Sequence, residues 1–135
     1  MTESLRYETA AQYLMRRVLK DTEVAGRRLP TGIPIVVLVA AANRDPEVFE
    51  RPDTFDVRRK NLGDVIDFGT GIHCCPGSAL TRHQTQIALR LLFERFPRIR
   101  LAGTPKRRCS TGQRGIGYLP VRLVSMTRPL EGLGV

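Results

Sequence analysis

The stretch Phe68-Gly69-Thr70-Gly71-Ile72-His73-Cys74-Cys75-Pro76-Gly77 stands directly before a run, Ser78 to Arg95, whose apolar residues have helical spacing. Two glycines ahead of a cysteine permit tight or left-handed backbone. A cysteine just before a helix N-terminus faces free amide groups and the positive end of the helix dipole. Both stabilise negative charge and lower the thiol pKa. The residue types and their order therefore describe a loop that holds a thiolate.

Other chemistries fit these residues less well. A zinc site from His73, Cys74, Cys75 and Cys109 lacks the C-x2-C spacing that lets two sulfurs converge on one metal. Gly69-x-Gly71 lacks the third glycine of a dinucleotide loop, and no clear strand precedes it. An isolated cysteine is most often a small buried hydrophobe; Cys74 is read as packing or partly exposed, and as a poor second ligand. Cys109 lies in a basic tail and is read as incidental.

The elements that must position this loop are legible in part. Thr2 to about Leu14 has a helical pattern, with Leu5, Ala10 and Tyr13 on one side. The chain is extended from Arg16 to Glu23, and Ala25-Gly26 and Pro30-Thr31-Gly32 read as turns. Pro34 to Val39 is rich in β-branched residues and predicts a buried strand. Asp45-Pro46 starts a short helical turn. Glu50 to Asp67 shows little regular structure, and long ordered loops of this kind are usually functional. The helix from Ser78 to Arg95 carries a stripe of Leu80, Ile87 and Leu91, flanked by Ala88 and Leu92, and Phe96-Pro97 stops it. Beyond Pro105, Tyr118 to Val124 is strand-like. No domain boundary is evident, so residues 1–135 are read as one portion.

Hydrophobic residues make up 41% of the chain, enough for a packed core rather than disorder. No apolar run approaches a membrane span, and the N-terminus does not resemble a secretory signal, which predicts a cytoplasmic setting without a membrane anchor. Three cysteines, two adjacent, make no disulfide framework. The 22 basic against 13 acidic residues give a net charge of +9, which attracts nucleic acid, an acidic membrane or an acidic protein. Lys106-Arg107-Arg108 has no interleaved aromatics, which argues against a nucleic-acid partner.

The loop resembles the haem-binding signature of the cytochromes P-450: Phe, two residues, Gly, three residues, Cys, one residue, Gly. Phe68, Gly71, Cys75 and Gly77 occupy its fixed positions. Further blocks follow the family's order. Glu3-Ser4-Leu5-Arg6 is similar to its Glu-x-x-Arg motif, and Asp21 to Gly32 to its hairpin. Ala42-Asn43-Arg44-Asp45-Pro46, then Phe49, Pro52 and Phe55, is similar to its next block, and Leu119-Pro120-Val121-Arg122 to its last strand.

The resemblance implies the C-terminal haem-binding part of that fold, mainly α with small β elements (α+β), truncated relative to a full family chain. It implies haem b as cofactor, with Cys75 as the axial iron ligand. A thiolate ligand pushes electron density onto iron and favours O–O cleavage. His73 and Arg16 become propionate contacts, and Phe68, Gly69, Gly71 and Gly77 shape the cofactor loop. Glu3, Arg6 and an arginine of the meander, Arg59 or else Arg58, become a structural cluster. Pro76 departs from the usual pattern by offering the sulfur no N–H, leaving Gly77 and Ser78 as donors. No catalytic residue is singled out, because the family's distal acid–alcohol pair lies upstream of its Glu-x-x-Arg helix. The implied reaction is monooxygenation of a small organic substrate, with electrons from a ferredoxin-type or other acidic redox partner. The isolated chain is expected to be inactive, and a catalytically dead haem-binding remnant is the alternative.

Overall fold

The structure, a computed structural model, describes residues 1–124. They fall into two compact units. One comprises Met1–Cys75 with Cys109–Gly115; the other comprises Pro76–Arg108 and the chain from Ile116 onward.

In the first unit, helix α1 (Thr2–Tyr7) carries Glu3 in its first turn and Arg6 in its last, both buried. The expected continuation to Leu14 does not form. Glu8 leaves the helical region at φ −123° and ψ 69°. The Thr9 hydroxyl donates back to the carbonyls of Leu5 (2.9 Å) and Arg6 (3.1 Å). Such a side-chain bond competes with helix propagation. Residues 10–12 then join a distant segment: Arg114 N–H donates to Ala10 O and Gln12 N–H to Gly112 O. A partner more than a hundred residues away in sequence leaves no trace in local periodicity.

Strands β1 (Leu14–Arg17) and β4 (Pro34–Val37) pair antiparallel, with Leu14 opposite Val37 and Arg17 opposite Pro34. Between them β2 (Thr22–Val24) and β3 (Arg27–Leu29) form a hairpin. Its turn places Ala25 at φ 49° and Gly26 at φ 74°, the double left-handed geometry that suits the twist of paired strands. Asp21 closes the base by accepting from Thr31 N–H (2.9 Å), the Thr31 hydroxyl (2.8 Å) and Arg28 (2.9 Å). These bonds, the backbone one foremost, hold its carboxyl below its ordinary value.

The expected burial of the Pro34 to Val39 strand is corrected. Pro34, Val36 and Val37 are exposed, because β4 belongs to a sheet of only two strands. Val39 is fully buried, but in the short helix α2 (Val39–Ala42). From Asp45 the chain makes a single turn, with Phe49 N–H donating to Asp45 O at 2.7 Å. A 3-10 turn at Leu62–Asp64 is the one regular piece in the run up to Asp67.

In the second unit, α3 spans Ser78–Arg95 and ends at Phe96. Its apolar stripe is exposed at Leu80, Ile87 and Leu91. Strands β5 (Arg98–Leu101) and β8 (Val121–Val124) pair antiparallel, as do β6 (Lys106–Arg107) and β7 (Ile116–Tyr118).

Candidate functional site

The buried heart of the first unit is polar. Arg6 is fully buried and has all its guanidinium N–H groups engaged. Nε and Nη2 grip the Glu3 carboxylate side-on at 2.7 and 2.8 Å. Nη1 donates to Asn43 O and Pro52 O, and Nη2 also to Thr54 O. Arg59 lies beside them. Its Nε is 3.5 Å from Glu3 Oε2 without making a hydrogen bond, and its Nη atoms donate to Glu50 O, Arg51 O and Thr54 O. Arg58 is exposed, so of the two meander arginines Arg59 is the one that meets Glu3.

The irregular segment is therefore ordered by guanidinium groups. Backbone carbonyls that no helix or sheet satisfies need donors, and two arginines supply them. Phe49, 1% exposed, lies under both charges, with the guanidinium carbons 5.3 and 5.9 Å from its ring centre. Hydrogen bonds from Arg6 foremost, then the Asp56 N–H and the positive charges of Arg6 and Arg59, hold the Glu3 carboxyl down at about 2 against the opposing effect of burial. The Glu3 carboxylate in turn raises Arg6 above its ordinary value.

Two further members escaped the sequence reading. Asn43 is fully buried; its amide donates to Thr9 Oγ1 (3.0 Å) and its Oδ1 accepts from Ile66 N–H (3.0 Å). It thus ties α1 to the start of the cysteine loop. Arg44 lies 4.3 Å from the Tyr7 ring centre and donates to Tyr7 O and Asp53. Both residues stand in the block Ala42 to Pro46, but nothing in that block's spacing distinguishes a buried amide from an exposed one.

The cysteine loop follows from Ile66. Gly69 has φ 75° and Gly71 φ 69°, a region that costs a side-chain-bearing residue about 1–2 kcal/mol. A Cβ on either would meet nothing closer than 3.7 Å, so conformation and not space demands glycine there. A 3-10 turn at Gly71–His73 follows. Cys74 N–H donates to Gly71 O (3.0 Å) and Cys75 N–H to Phe68 O (2.9 Å). These two bonds close the loop on itself. Cys74, Cys75 and Cys109 are free thiols, all exposed. Phe68 is half-buried and Ile72 is 97% exposed. Gly77 caps α3 at φ −80°, which any residue adopts.

Arg16 and His73 lie far apart in sequence but border one open groove of about 610 Å³, with Met15, Arg17, Leu19, Pro34 and Ile72. The Arg16 guanidinium is exposed and donates to Met15 O. Leu19, 87% exposed, and Met15, 54% exposed, present apolar surface alongside. Among the described residues no group of three or more His, Cys, Asp or Glu could hold a metal ion. No helix among them is long and apolar enough to cross a membrane.

The sequence profile of the cytochrome P-450 family matches residues 1–122. The chain belongs to the cytochrome P-450 family. It is 45% identical over 121 residues to the Mycobacterium tuberculosis protein named cytochrome P-450 140, covering 90% of this chain and 28% of that one. It is similar in structure to P450BioI in complex with an acyl carrier protein ligated to hexadec-9Z-enoic acid. That match has a TM-score of 0.85 and 37% identity, over 91% of this chain and 32% of the other. CYP109E1 from Bacillus megaterium in complex with testosterone matches with a TM-score of 0.84 and 35% identity, over 90% and 34%. The chain thus spans about a third of the length of the relatives it matches.

Proposed function

We propose that this chain is the thiolate-bearing portion of a haem monooxygenase, with Cys75 as axial ligand of haem b. The observation that carries this reading is the loop: two left-handed glycines and two backbone bonds present an exposed, unpaired thiol within the family's signature. The groove beside it suits a flat group with an apolar body and anionic edges. Ile72, Leu19 and Met15 offer apolar contact, and Arg16 and His73 offer partners for carboxylates. Bound haem supplies oxygen activation, and the protein contributes ligand, orientation and electrostatics. Cys75 donates negative charge. Phe68 and Gly69 to Gly71 fix the position of that sulfur, Gly77 starts the helix after it, and the Glu3, Arg6 and Arg59 cluster holds the meander that leads into the loop.

Of a complete family chain we propose oxygen-dependent oxidation of a small organic substrate in the cytoplasm, with electrons from an acidic, ferredoxin-type carrier. A second reading, a haem-binding piece without turnover, is favoured by one observation: the chain spans about a third of its relatives. The deciding experiment is an absorption spectrum of residues 1–135 with haem, reduced under carbon monoxide. Cys74→Ala keeps the red-shifted Soret band of a thiolate–CO complex, and Cys75→Ala loses it. The reverse pattern would overturn the assignment of the ligand.

A further inference from the structure

The meander holds a cavity that the haem reading does not use. It lies within the first unit, is open to solvent and has a volume of about 480 Å³, a size that takes a small molecule. Val48 is the one apolar residue in its walls among those described. Four cations, Arg51, Arg58, Arg59 and Lys60, stand there with two carboxylates, Glu50 and Asp56. Such walls suit a charged ligand and not an apolar one.

The cations differ in what they already hold. Arg59 is fixed: its side chain is 7% exposed, and its Nη atoms donate to the carbonyls of Glu50, Arg51 and Thr54. Arg51 Nε lies 3.6 Å from Glu50 Oε1, an exposed contact of the kind that contributes little. Arg58 and Lys60 are exposed, and their side chains form no hydrogen bond or ion pair with a described residue. Asp56 is not paired with either. Its Oδ1 accepts from the Arg58 backbone N–H at 2.9 Å. Arg6 neutralises Glu3, so four cations less two carboxylates leave two positive charges at the cavity, which one dianion balances.

The backbone adds a second observation. Arg51 has φ 47°, a left-handed conformation that a residue bearing a side chain adopts only at a cost. It is held there through its own carbonyl, which accepts from Thr54 N–H at 2.9 Å and Arg59 Nη2 at 3.2 Å. Strain persists where the surroundings over-determine it, and it gathers at binding sites. Here it sets the Arg51 side chain in the wall that Arg58 and Lys60 share.

We propose that this cavity binds a small phosphate-bearing ligand, with Arg51, Arg58 and Lys60 holding the phosphate. A guanidinium grips two phosphate oxygens through parallel N–H groups, and an ammonium adds a compact charge. The occupied site braces the meander against the buried cluster, because Arg59 borders both the cavity and Glu3, and the Asp56 N–H donates to Glu3 Oε1 at 2.9 Å. A ligand that binds only the folded chain raises its stability by mass action.

The test uses residues 1–135 without haem, so its result is independent of the assignment of Cys75. Inorganic phosphate and ribose 5-phosphate are the probes, and ribose and poly-L-glutamate the controls, in about 0.1 M chloride, where the Debye length is about 10 Å. Phosphorus NMR titrations compare the parent with Arg58→Gln/Lys60→Gln and with Lys20→Gln/Arg27→Gln, which removes the same charge from exposed positions of the same unit outside the cavity. Circular dichroism identifies folded variants, and single Arg58→Gln replaces the double variant where that one does not fold. The expected result is a rise in thermal midpoint with phosphate, and a loss of phosphate affinity of about tenfold in the cavity variant against less than about twofold in the control. Tighter binding of ribose 5-phosphate than of inorganic phosphate would support a phosphomonoester as the ligand, and equal binding the free anion. No phosphorus shift at about 10 mM phosphate, well above a millimolar dissociation constant, would overturn the proposal. Equal losses in the two variants would reduce the effect to net charge and overturn it. Binding of ribose as tight as that of its phosphate, or tighter binding of poly-L-glutamate with the same dependence on Arg58 and Lys60, would overturn it as well.

Discussion

At the scale of single residues, Arg6 decides most. It is the largest fully buried side chain, and it satisfies a carboxylate and three carbonyls from two distant segments. Arg6→Ala leaves Glu3 buried with the Asp56 N–H and the Arg59 guanidinium but without its two-point partner, and removing one partner of a buried pair costs about 3–5 kcal/mol. The expected outcome is loss of soluble protein or of bound haem, measured by expression and haem content. Near-normal values would reduce the cluster to a minor contact. Acid acts on the same bond from the other side. Glu3 titrates at about 2 when folded, against an ordinary value of 4.5. Its contribution, on the order of 3 kcal/mol, is therefore fully present above about pH 4.5 and is lost as pH falls toward 2. Denaturation midpoints at successive pH values are expected to fall across that window, and Glu3→Gln to flatten the fall. An unchanged slope in Glu3→Gln would assign acid sensitivity to other carboxylates.

At the scale of elements, the cysteine loop works through backbone geometry. Its sulfur position depends on two left-handed residues and two short-range hydrogen bonds, not on a packed core. Gly71→Ala has free space for its Cβ but the wrong φ, so it costs about 1–2 kcal/mol locally. The expected outcome is weaker haem retention with little change in overall unfolding, read by haem transfer to an acceptor protein and by circular dichroism. Retention equal to the parent would show that the loop tolerates another backbone path. By contrast, Gly77 sits at ordinary helical-entry angles, so Gly77→Ala is expected to leave the fold of α3 intact.

At the scale of the whole molecule, apolar surface is the main fact. Val18, Val39 and Phe49 are the buried hydrophobic residues among those described, whereas Ile87, Leu91 and Phe93 of α3, Val36 of β4 and Leu38 just after it are more than a third exposed. Relatives about three times as long match this chain closely. On the proposed haem reading, coupled oxidation would also need groups that shield the haem and deliver protons, and none of residues 1–124 is proposed for either task. Residues 1–135 with haem, a ferredoxin and its reductase are therefore expected to consume NADH and yield peroxide without coupled product. Product formation across a substrate panel would sink this expectation.

The amino-acid sequence by itself determined what depends on local chemistry. The spacing of Phe68, Gly71, Cys75 and Gly77 marked out the loop; Gly69 and Gly71 within it adopt left-handed backbone, and Gly77 does not. The periodicity of Ser78 to Arg95 gave the helix its limits, because a helix of that length is specified by its own residues and by Phe96-Pro97. The spacing of Glu3 and Arg6 placed them on one helix face. Tertiary structure decided whatever depends on residues far apart in the chain. It ended α1 at Tyr7, since residues 10–12 bond to residues 112–114. It set Arg59 and not Arg58 against Glu3, a choice that one residue's shift in an irregular loop reverses. It buried Asn43, brought Arg16 and His73 to one groove, and left Val36 and Val37 in solvent. Residue type carries propensity and charge, but the partner of a buried polar atom is fixed only when distant segments meet.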